Sequence, residues 1–91
     1  MILAVTYDLH NPGRHYDSVV AKLKSATSWC HPQGSVWFID TAAAPEQWVE
    51  ALTGVADPND EFLVIRVQEN WWSKNMDKAA VDWFKSSSRN W

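Results

Sequence analysis

Cys30 is the only cysteine in this chain of 91 residues, and that excludes the usual ways of stabilising a very small protein. A domain of this size buries only about 60–65% of the surface that its unfolded chain exposes, so many small domains add disulfides or a structural metal. A single thiol forms no internal disulfide and excludes a multi-thiol zinc site. Stability must therefore come from apolar burial, and we expect residues 1–91 to form one domain.

Tryptophan supplies much of the apolar surface for such a core. The chain has seven tryptophans, and each buries an area on the order of 200 Å² when it is packed. Trp37, Trp48 and Trp83 recur with the apolar faces of predicted strands and helices, which indicates packing. Trp71, Trp72 and Trp91 follow no such period. This favours a role in an interface or as a cover that packs on the core. Stacking on single-stranded bases is the alternative, but no Lys or Arg residues are interleaved with them.

The charge balance limits the classes of partner. Eight Lys and Arg residues stand against eleven Asp and Glu residues, a formal net charge of −3, so the molecule as a whole repels polyanions.

The first eight residues contain no basic leader, and the apolar run is too short for a signal peptide or a membrane span. We expect a cytoplasmic protein without a membrane partner, and nucleic acid is not favoured by charge.

Apolar periodicity predicts a mixed domain over about residues 1–68. The predicted elements are a strand over 2–9, a helix over 15–25, a hairpin over 27–41 with its turn at 31–34, a helix beginning at Pro45, and a strand over 62–67. This order is that of the split βαβ motif. We therefore expect an α+β domain with a ferredoxin-like βαββαβ antiparallel sheet and two helices on one face.

The rest of the chain, about residues 69–91, is predicted to be a tryptophan-rich helical extension. Met76, Ala80, Trp83 and Phe84 recur at helical spacing, which indicates a helix over about 75–87. The sheet face without helices also needs a cover, and we expect Phe62 and Val64 to lie on it. The helix of the tail is a candidate for part of that cover, and it folds over its own sheet or reaches a neighbouring subunit. The predicted interface with a second copy or another protein consists of Phe62, Val64, Trp71 and Trp72.

Three short stretches resemble a known family. They are Val-Thr-Tyr-Asp at 5–8, Gln-Gly-Ser-Val-Trp-Phe at 33–38 and Asn-Asp-Glu at 59–61. Together, and in this order, they resemble the small CRISPR-associated adaptation protein family, with Trp37 where that family usually has Phe. Other stretches look more like the SinR-like group of that superfamily. They are the Asn-Pro-Gly at 11–13, the hairpin with Trp29 and Ser35, and the tail with Asn70, Trp71 and Trp83.

The resemblance implies a symmetric dimer in which the aspartate that ends the first strand, here Asp8, meets its copy across the twofold axis. In active members the two carboxylates hold a magnesium ion that helps a water molecule attack a phosphodiester, which agrees with the preference of hard cations for oxygen ligands. Ser35 would donate a hydrogen bond to the phosphate, and Arg14, His10 and His15 would be its other contacts.

The same residues also have a structural interpretation. Asp commonly accepts hydrogen bonds from a following loop, so Asp8 is either a magnesium ligand or a loop acceptor. His10 and His15 could hold a transition metal with Asp8, but their spacing matches no zinc pattern, and solvent-exposed loop histidines explain them better. An apolar position beside Trp29 raises the pKa of a thiol, which argues against a nucleophilic Cys30.

Two functions of different classes follow. The first is a dimeric interaction module without strong nuclease activity, which contacts a protein partner through its aromatic tail and sheet face. The alternative is a magnesium-dependent endonuclease, acting on RNA or DNA, that uses Asp8 paired across the dimer. The acidic charge balance and the small number of basic residues after Asp8 favour the first.

Overall fold

The computed structural model describes the backbone of residues 1–10 and 12–91, and the side chains of all residues outside 11–15. Its elements are β1 (Ile2–Asp8), α1 (Pro12–Leu23), β2 (Ser28–Gln33), β3 (Val36–Asp40), α2 (Pro45–Thr53), β4 (Glu61–Val67) and α3 (Lys78–Lys85). The strands form one antiparallel sheet in the order β2-β3-β1-β4. The strands β2 and β4 are consequently its two edges.

The predicted fold class, a ferredoxin-like βαββαβ antiparallel sheet with two helices on one face plus a C-terminal helical extension, is wrong. The described part of the chain is an α+β fold with four antiparallel strands and three helices, and α3 belongs to the packed body. Trp37 and Ile39 of β3 pack in the core with residues of α1 and α2, whereas Phe38 between them packs with residues of α3. Successive side chains of a strand point to opposite faces, so helices lie on both sides of the sheet.

The face that carries α1 and α2 holds the larger core, which we call the helix-pair core. Val19 and Leu23 of α1 and Trp48 and Leu52 of α2 pack here against buried side chains of the sheet. The sheet contributes Leu3, Val5, Tyr7, Trp37, Ile39 and Val64. The two buried tryptophans confirm the packing role predicted for them.

Both indole N–H groups of this core reach an acceptor. The Nε1 of Trp37 donates to the hydroxyl of Tyr7 at 3.2 Å, and that hydroxyl donates in turn to the carbonyl oxygen of Gly34 at 3.3 Å. The Nε1 of Trp48 donates to Oγ1 of Thr41 at 3.1 Å. Buried polar groups are costly without partners, and these two tryptophans avoid that cost.

The opposite face holds a second, aromatic cluster under α3. Cys30, Ala80 and Phe84 are buried there, and Phe38, Trp71, Met76, Trp83 and Trp91 pack around them. The carboxylate of Asp77 caps α3 by accepting from the backbone N–H of Ala79 at 3.1 Å. The Nε1 of Trp83 donates to Oγ of Ser28 at 2.9 Å, which ties α3 to β2.

The hairpin differs from its prediction because β2 continues through Gln33, and the turn lies at residues 34–35. The His31 ring stacks on Trp37 with 4.0 Å between centroids, which holds this segment against the sheet. Pro32 cannot donate a ladder hydrogen bond, and the pairing with β3 shifts register between Cys30 and Gln33. Pro32 thus lies within β2, whereas the sequence pattern had placed it in the turn.

Asp40, at the end of β3, joins the tail to the sheet. Its side chain is only 4% exposed, and its Oδ2 accepts hydrogen bonds from the backbone N–H of Asn90 at 3.1 Å and from Nδ2 of Asn90 at 3.0 Å. The Arg89 guanidinium and the Met1 amino group each lie 3.9 Å from this carboxylate. A buried carboxylate requires such partners, so Asp40 fixes the position of residues 89–90.

Among the described helices, none combines the length and the apolar composition needed to cross a bilayer.

Candidate functional site

Asp8 is exposed at the last position of β1, where the sheet places it opposite Glu61 of β4. The two carboxylates border a cleft of about 310 Å³ that Thr6, Tyr7, Phe62 and Leu63 also line. The ladder between β1 and β4 therefore brings two hard oxygen donors to one end of the sheet. The sequence predicted Asp8 as a magnesium ligand but not Glu61, because only the strand register places Glu61 beside Asp8.

His10 follows Asp8 and turns towards the start of β4. Its backbone N–H donates to Oδ1 of Asp60 at 2.8 Å, and its Nε2 lies 3.4 Å from Oε2 of Glu61. The ring is half exposed, so a protonated imidazole here forms a solvent-screened ion pair with Glu61. The other two predicted phosphate contacts, the side chains of Arg14 and His15, lie outside the described residues.

The metal chemistry predicted for Asp8 is incomplete within one chain. No group of three or more His, Cys, Asp or Glu side chains among the described residues is arranged to hold a metal ion. Magnesium is often held by only one or two carboxylates with waters and substrate phosphates, so Asp8 and Glu61 have suitable chemistry. The remaining ligands would have to come from a second copy, from solvent or from a substrate.

Ser35 lies in the turn between β2 and β3, exposed and close to Asp8. Its carbonyl oxygen accepts from the backbone N–H of Tyr7 at 3.2 Å, which fixes the turn beside the end of β1. A shallow cleft of about 230 Å³ is lined by both Asp8 and Ser35, together with Tyr16. The structure therefore brings Asp8 and Ser35 to one cleft.

The β4 side chains that the sheet leaves uncovered are not the predicted pair but the pair on the other face of the strand. Leu63 is 60% exposed and Ile65 is 52% exposed, and we call these two side chains the open surface. Phe62 and Val64 were expected there, but Val64 lies opposite Val5 and is only 9% exposed in the helix-pair core. Phe62 packs against the same core, with its ring 6.2 Å from that of Tyr7.

The other two residues of the predicted interface, Trp71 and Trp72, lie in different surroundings. Trp71 is partly buried and lies with its ring 5.1 Å from that of Phe84 in the aromatic cluster. Trp72, the next residue, is 98% exposed and free to contact another molecule. The sequence had indicated such roles only through the absence of a helical or strand period at these positions.

Sequence reasoning missed a cleft of about 430 Å³ between the sheet and the segment that joins β4 to α3. We call it the aromatic cleft, and its ring-bearing lining residues are Phe38, Trp71, Trp72, Phe84 and Trp91. Its polar lining residues are Gln33, Gln68, Asn70, Ser73 and Lys74. The only signal in the sequence was the group of tryptophans outside any periodic pattern.

Cys30 is unsuited to nucleophilic chemistry. It lies in the aromatic cluster at 6% exposure, and burial is the main cause that raises the pKa of its thiol to about 11, with the negative charge of Asp77 adding to the rise. The reactive form of cysteine is the thiolate, which such a site disfavours. This agrees with the structural role expected for it.

The molecule thus presents three candidate sites: the carboxylate end of the sheet at Asp8, the open surface on β4, and the aromatic cleft. Each is defined here by its own residues and geometry. Comparisons of the chain with models of protein families, with curated proteins and with solved structures found no match.

Proposed function

We propose that the protein is a homodimeric interaction module whose two copies meet through β4. The observation that carries this proposal is the open surface, where Leu63 and Ile65 expose more than half of their side chains on one face of one strand. Isolated exposed apolar residues are common on protein surfaces. Two such residues side by side on a sheet edge provide both apolar area and backbone groups for a partner.

The two edges of the sheet differ in how easily they could pair with another chain. Edge strand β2 contains Pro32 and a register shift, and both features interrupt the regular row of backbone donors. Edge strand β4 contains neither, and its positions 62–65 are uncharged. A second copy of β4 is therefore the occupant that would satisfy the free backbone groups and cover the apolar side chains together.

Charge supports a protein partner more than a nucleic acid. The net charge is −3, and the end of the sheet next to the open surface carries Asp8, Asp60 and Glu61. Phosphate backbones are attracted mainly by Lys and Arg, so this end repels them in the absence of a cation. The resemblance to the small CRISPR-associated adaptation proteins, whose members pair symmetrically, also supports a dimer.

The mass of the protein in solution tests this proposal. We expect light scattering coupled to gel filtration to give twice the chain mass of 10.4 kDa, and Ile65→Glu to give the mass of one chain because a charge would be placed in the interface. Ala21→Glu, which adds the same charge at an exposed position of α1, should remain dimeric. A wild-type protein that stays monomeric throughout the micromolar range would contradict the proposal.

A second candidate function, a magnesium-dependent endonuclease, is favoured by one specific observation. Leu63 belongs to the open surface and also lines the cleft beside Asp8. Edge pairing of β4 would keep the two β1 strands about 14 Å apart, so the enzyme requires a different dimer, in which the sheets pack face to face at Leu63 and bring the Asp8 carboxylates of two copies towards each other. Magnesium bound there would activate a water molecule for attack on a phosphodiester, while Asp8 and Glu61 would hold the ion and Ser35 would orient the phosphate.

Labelled single-stranded RNA and double-stranded DNA, incubated with magnesium or with a chelator, test the nuclease. We expect magnesium-dependent cleavage that Asp8→Asn abolishes and that Glu69→Gln, a change of the same kind at an exposed position away from the cleft, leaves intact. Cleavage that survives Asp8→Asn would assign the activity to a contaminant. A dimer that cleaves neither substrate would leave the interaction module and eliminate the enzyme.

A further inference from the structure

The aromatic cleft has the size and shape of a small-molecule site. Its volume of about 430 Å³ exceeds the 310 Å³ of the cleft beside Asp8. Binding pockets for small ligands usually measure about 300–1,000 Å³ and combine apolar walls with a few polar groups. The residues of the aromatic cleft fit that description, and neither the proposed dimer contact at Leu63 and Ile65 nor Asp8 uses this space.

Phe84 of α3 organises the walls of the cleft. Trp71 lies 5.1 Å from Phe84 between ring centroids, Trp91 lies 5.9 Å away in a stacked arrangement, and Phe38 meets it edge-on at 4.8 Å. Aromatic faces at such spacings bind other flat rings by stacking and edge contacts. The walls therefore select for a planar apolar group.

Trp91 forms part of the wall of the cleft, and its N–H has no partner there. Its Nε1 atom is buried and has no hydrogen-bond partner among the described residues. In contrast, the indole N–H groups of Trp37, Trp48 and Trp83 all reach oxygen acceptors. An unpaired buried donor costs about 1–3 kcal/mol, so the Trp91 ring is held less firmly than those three rings. A ligand that packs in the cleft can therefore displace the Trp91 ring more readily than the others.

The charge of the lining indicates the sign of that ligand. Lys74 is the one charged residue among the described residues that line the cleft, and it forms no salt bridge with a described residue. The other polar lining groups are neutral amides and a hydroxyl, such as those of Gln68, Asn70 and Ser73. A cationic ligand, which an aromatic cage can otherwise hold, would meet a positive charge and no carboxylate.

We propose that the aromatic cleft binds a flat aromatic molecule of one or two rings that bears a carboxylate or a phosphate. The rings pack beside Trp71 and Trp91, and the anionic group pairs with Lys74. This site is independent of the proposed dimer and of the proposed nuclease.

Titration of the 15N-labelled protein with 2-naphthoate tests the proposal, because each indole N–H gives its own NMR signal. Spectra of the single Trp→Phe variants assign these signals. We expect a saturable shift of the Trp91 signal, and the same behaviour with 2-naphthyl phosphate if the site also accepts phosphates. Cyclohexanecarboxylate, which is anionic but not planar, should produce no saturable shift.

Lys74→Met tests the role of charge. It should weaken 2-naphthoate binding about fivefold, the factor that corresponds to an exposed ion pair of about 1 kcal/mol, and should leave binding of the neutral 2-naphthamide unchanged. Lys85→Met on α3 removes an equal charge away from the cleft and should change neither affinity.

Three results would overturn the proposal. The first is a shift confined to the exposed Trp72 that grows without saturation, which indicates non-specific ring association. The second is equal binding of naphthoate and naphthamide by the wild-type protein. The third is a saturable response of Trp71 and Trp72 to a proline decapeptide in place of naphthoate, which would make the cleft a peptide groove.

Discussion

On the face of the sheet that carries α1 and α2, Trp37 and Trp48 are buried and each indole N–H meets an acceptor. On the face that carries α3, Trp72 stands almost wholly in solvent and the Nε1 of Trp91 is buried without one. Trp37 and Trp48 are thus fully accommodated on the first face, whereas Trp72 and Trp91 are left with unused contacts on the second. We infer that the first face provides stability and the second provides recognition.

The difference has a structural origin in the helices. Two helices cover the first face, and Val19, Leu23 and Leu52 fill the space between them and the sheet. The second face has only α3, which contacts β2, and the exposed Leu63 and Ile65 lie on β4 at the opposite edge. One short helix covers only part of a four-stranded sheet, so part of this face remains available to a partner.

The largest expected effect is on the helix-pair core. Leu52→Ala should lower the free energy of unfolding by about 3 kcal/mol, because it leaves a cavity at a fully buried position. Leu63→Ala makes the same change on the open surface and should alter the stability of the monomer by less than about 0.5 kcal/mol. Urea unfolding monitored by circular dichroism measures both, and similar losses would remove the distinction between the faces. Because a dimer would add concentration-dependent stability, the comparison is made in the Ile65→Glu background.

A smaller effect is expected from removing one acceptor in the core. Tyr7→Phe deletes the hydroxyl that accepts from Trp37 and should cost about 2 kcal/mol, because the buried indole N–H is left without its partner. Thr27→Val, which removes a hydroxyl from an exposed side chain, is the control. Denaturant unfolding of the two variants should differ clearly, and equal stabilities would mean that the Trp37 hydrogen bond contributes nothing.

Cys30 gives a pH-dependent test of the α3 face. The pKa of its thiol is raised from about 9 to about 11, so the folded protein holds this proton more tightly than the unfolded chain does. The resulting stabilisation is complete below about pH 9 and is lost as the pH rises towards 11. Unfolding experiments across this range should show a decline that is smaller in Cys30→Ala. An equal decline in both proteins would contradict it.

The smallest effect is expected at Trp91. Trp91→Phe removes the unpaired donor, which should stabilise the protein, but it also replaces the indole beside Phe84 with a smaller ring that packs less; because the two effects oppose each other, the stability should change by less than about 0.5 kcal/mol. Trp83→Phe is the matched substitution, and it should cost about 1 kcal/mol because its N–H donates to Ser28. If Trp91→Phe destabilised the protein as much as Trp83→Phe, the Trp91 N–H would not be an unused donor.

The sequence predicted the alternation of strands and helices, and it identified Trp37 and Trp48 as core residues. It failed on β4 because residues 62–65 are all apolar, so alternation alone cannot decide which pair faces the helices. The pairing of Val64 with Val5 decides it, and that register depends on the whole sheet. Whether α3 folds over its own sheet or reaches a second copy stayed open for a similar reason, since Phe38 and Cys30 meet it only after β2 and β3 pair.

The candidate sites show the same limit. Asp8 was identified through the family resemblance, but the carboxylate beside it, Glu61, is brought there by pairing across half the chain. The aromatic cleft combines residues from β2, β3, the segment after β4, α3 and position 91. Side chains so far apart in the sequence carry no common pattern, so only the fold shows that they share a cavity.

The buried carboxylate of Asp40 acts as a latch for the wall of that cavity. It holds Asn90 by two hydrogen bonds, and the next residue is the Trp91 that stacks on Phe84. Residues 86–91 form no helix or strand, so this attachment takes the place of regular structure in keeping them seated. Without these hydrogen bonds, residues 89–91 would detach from the sheet while the strands stayed paired. The aromatic cleft would then be lost although the fold remained.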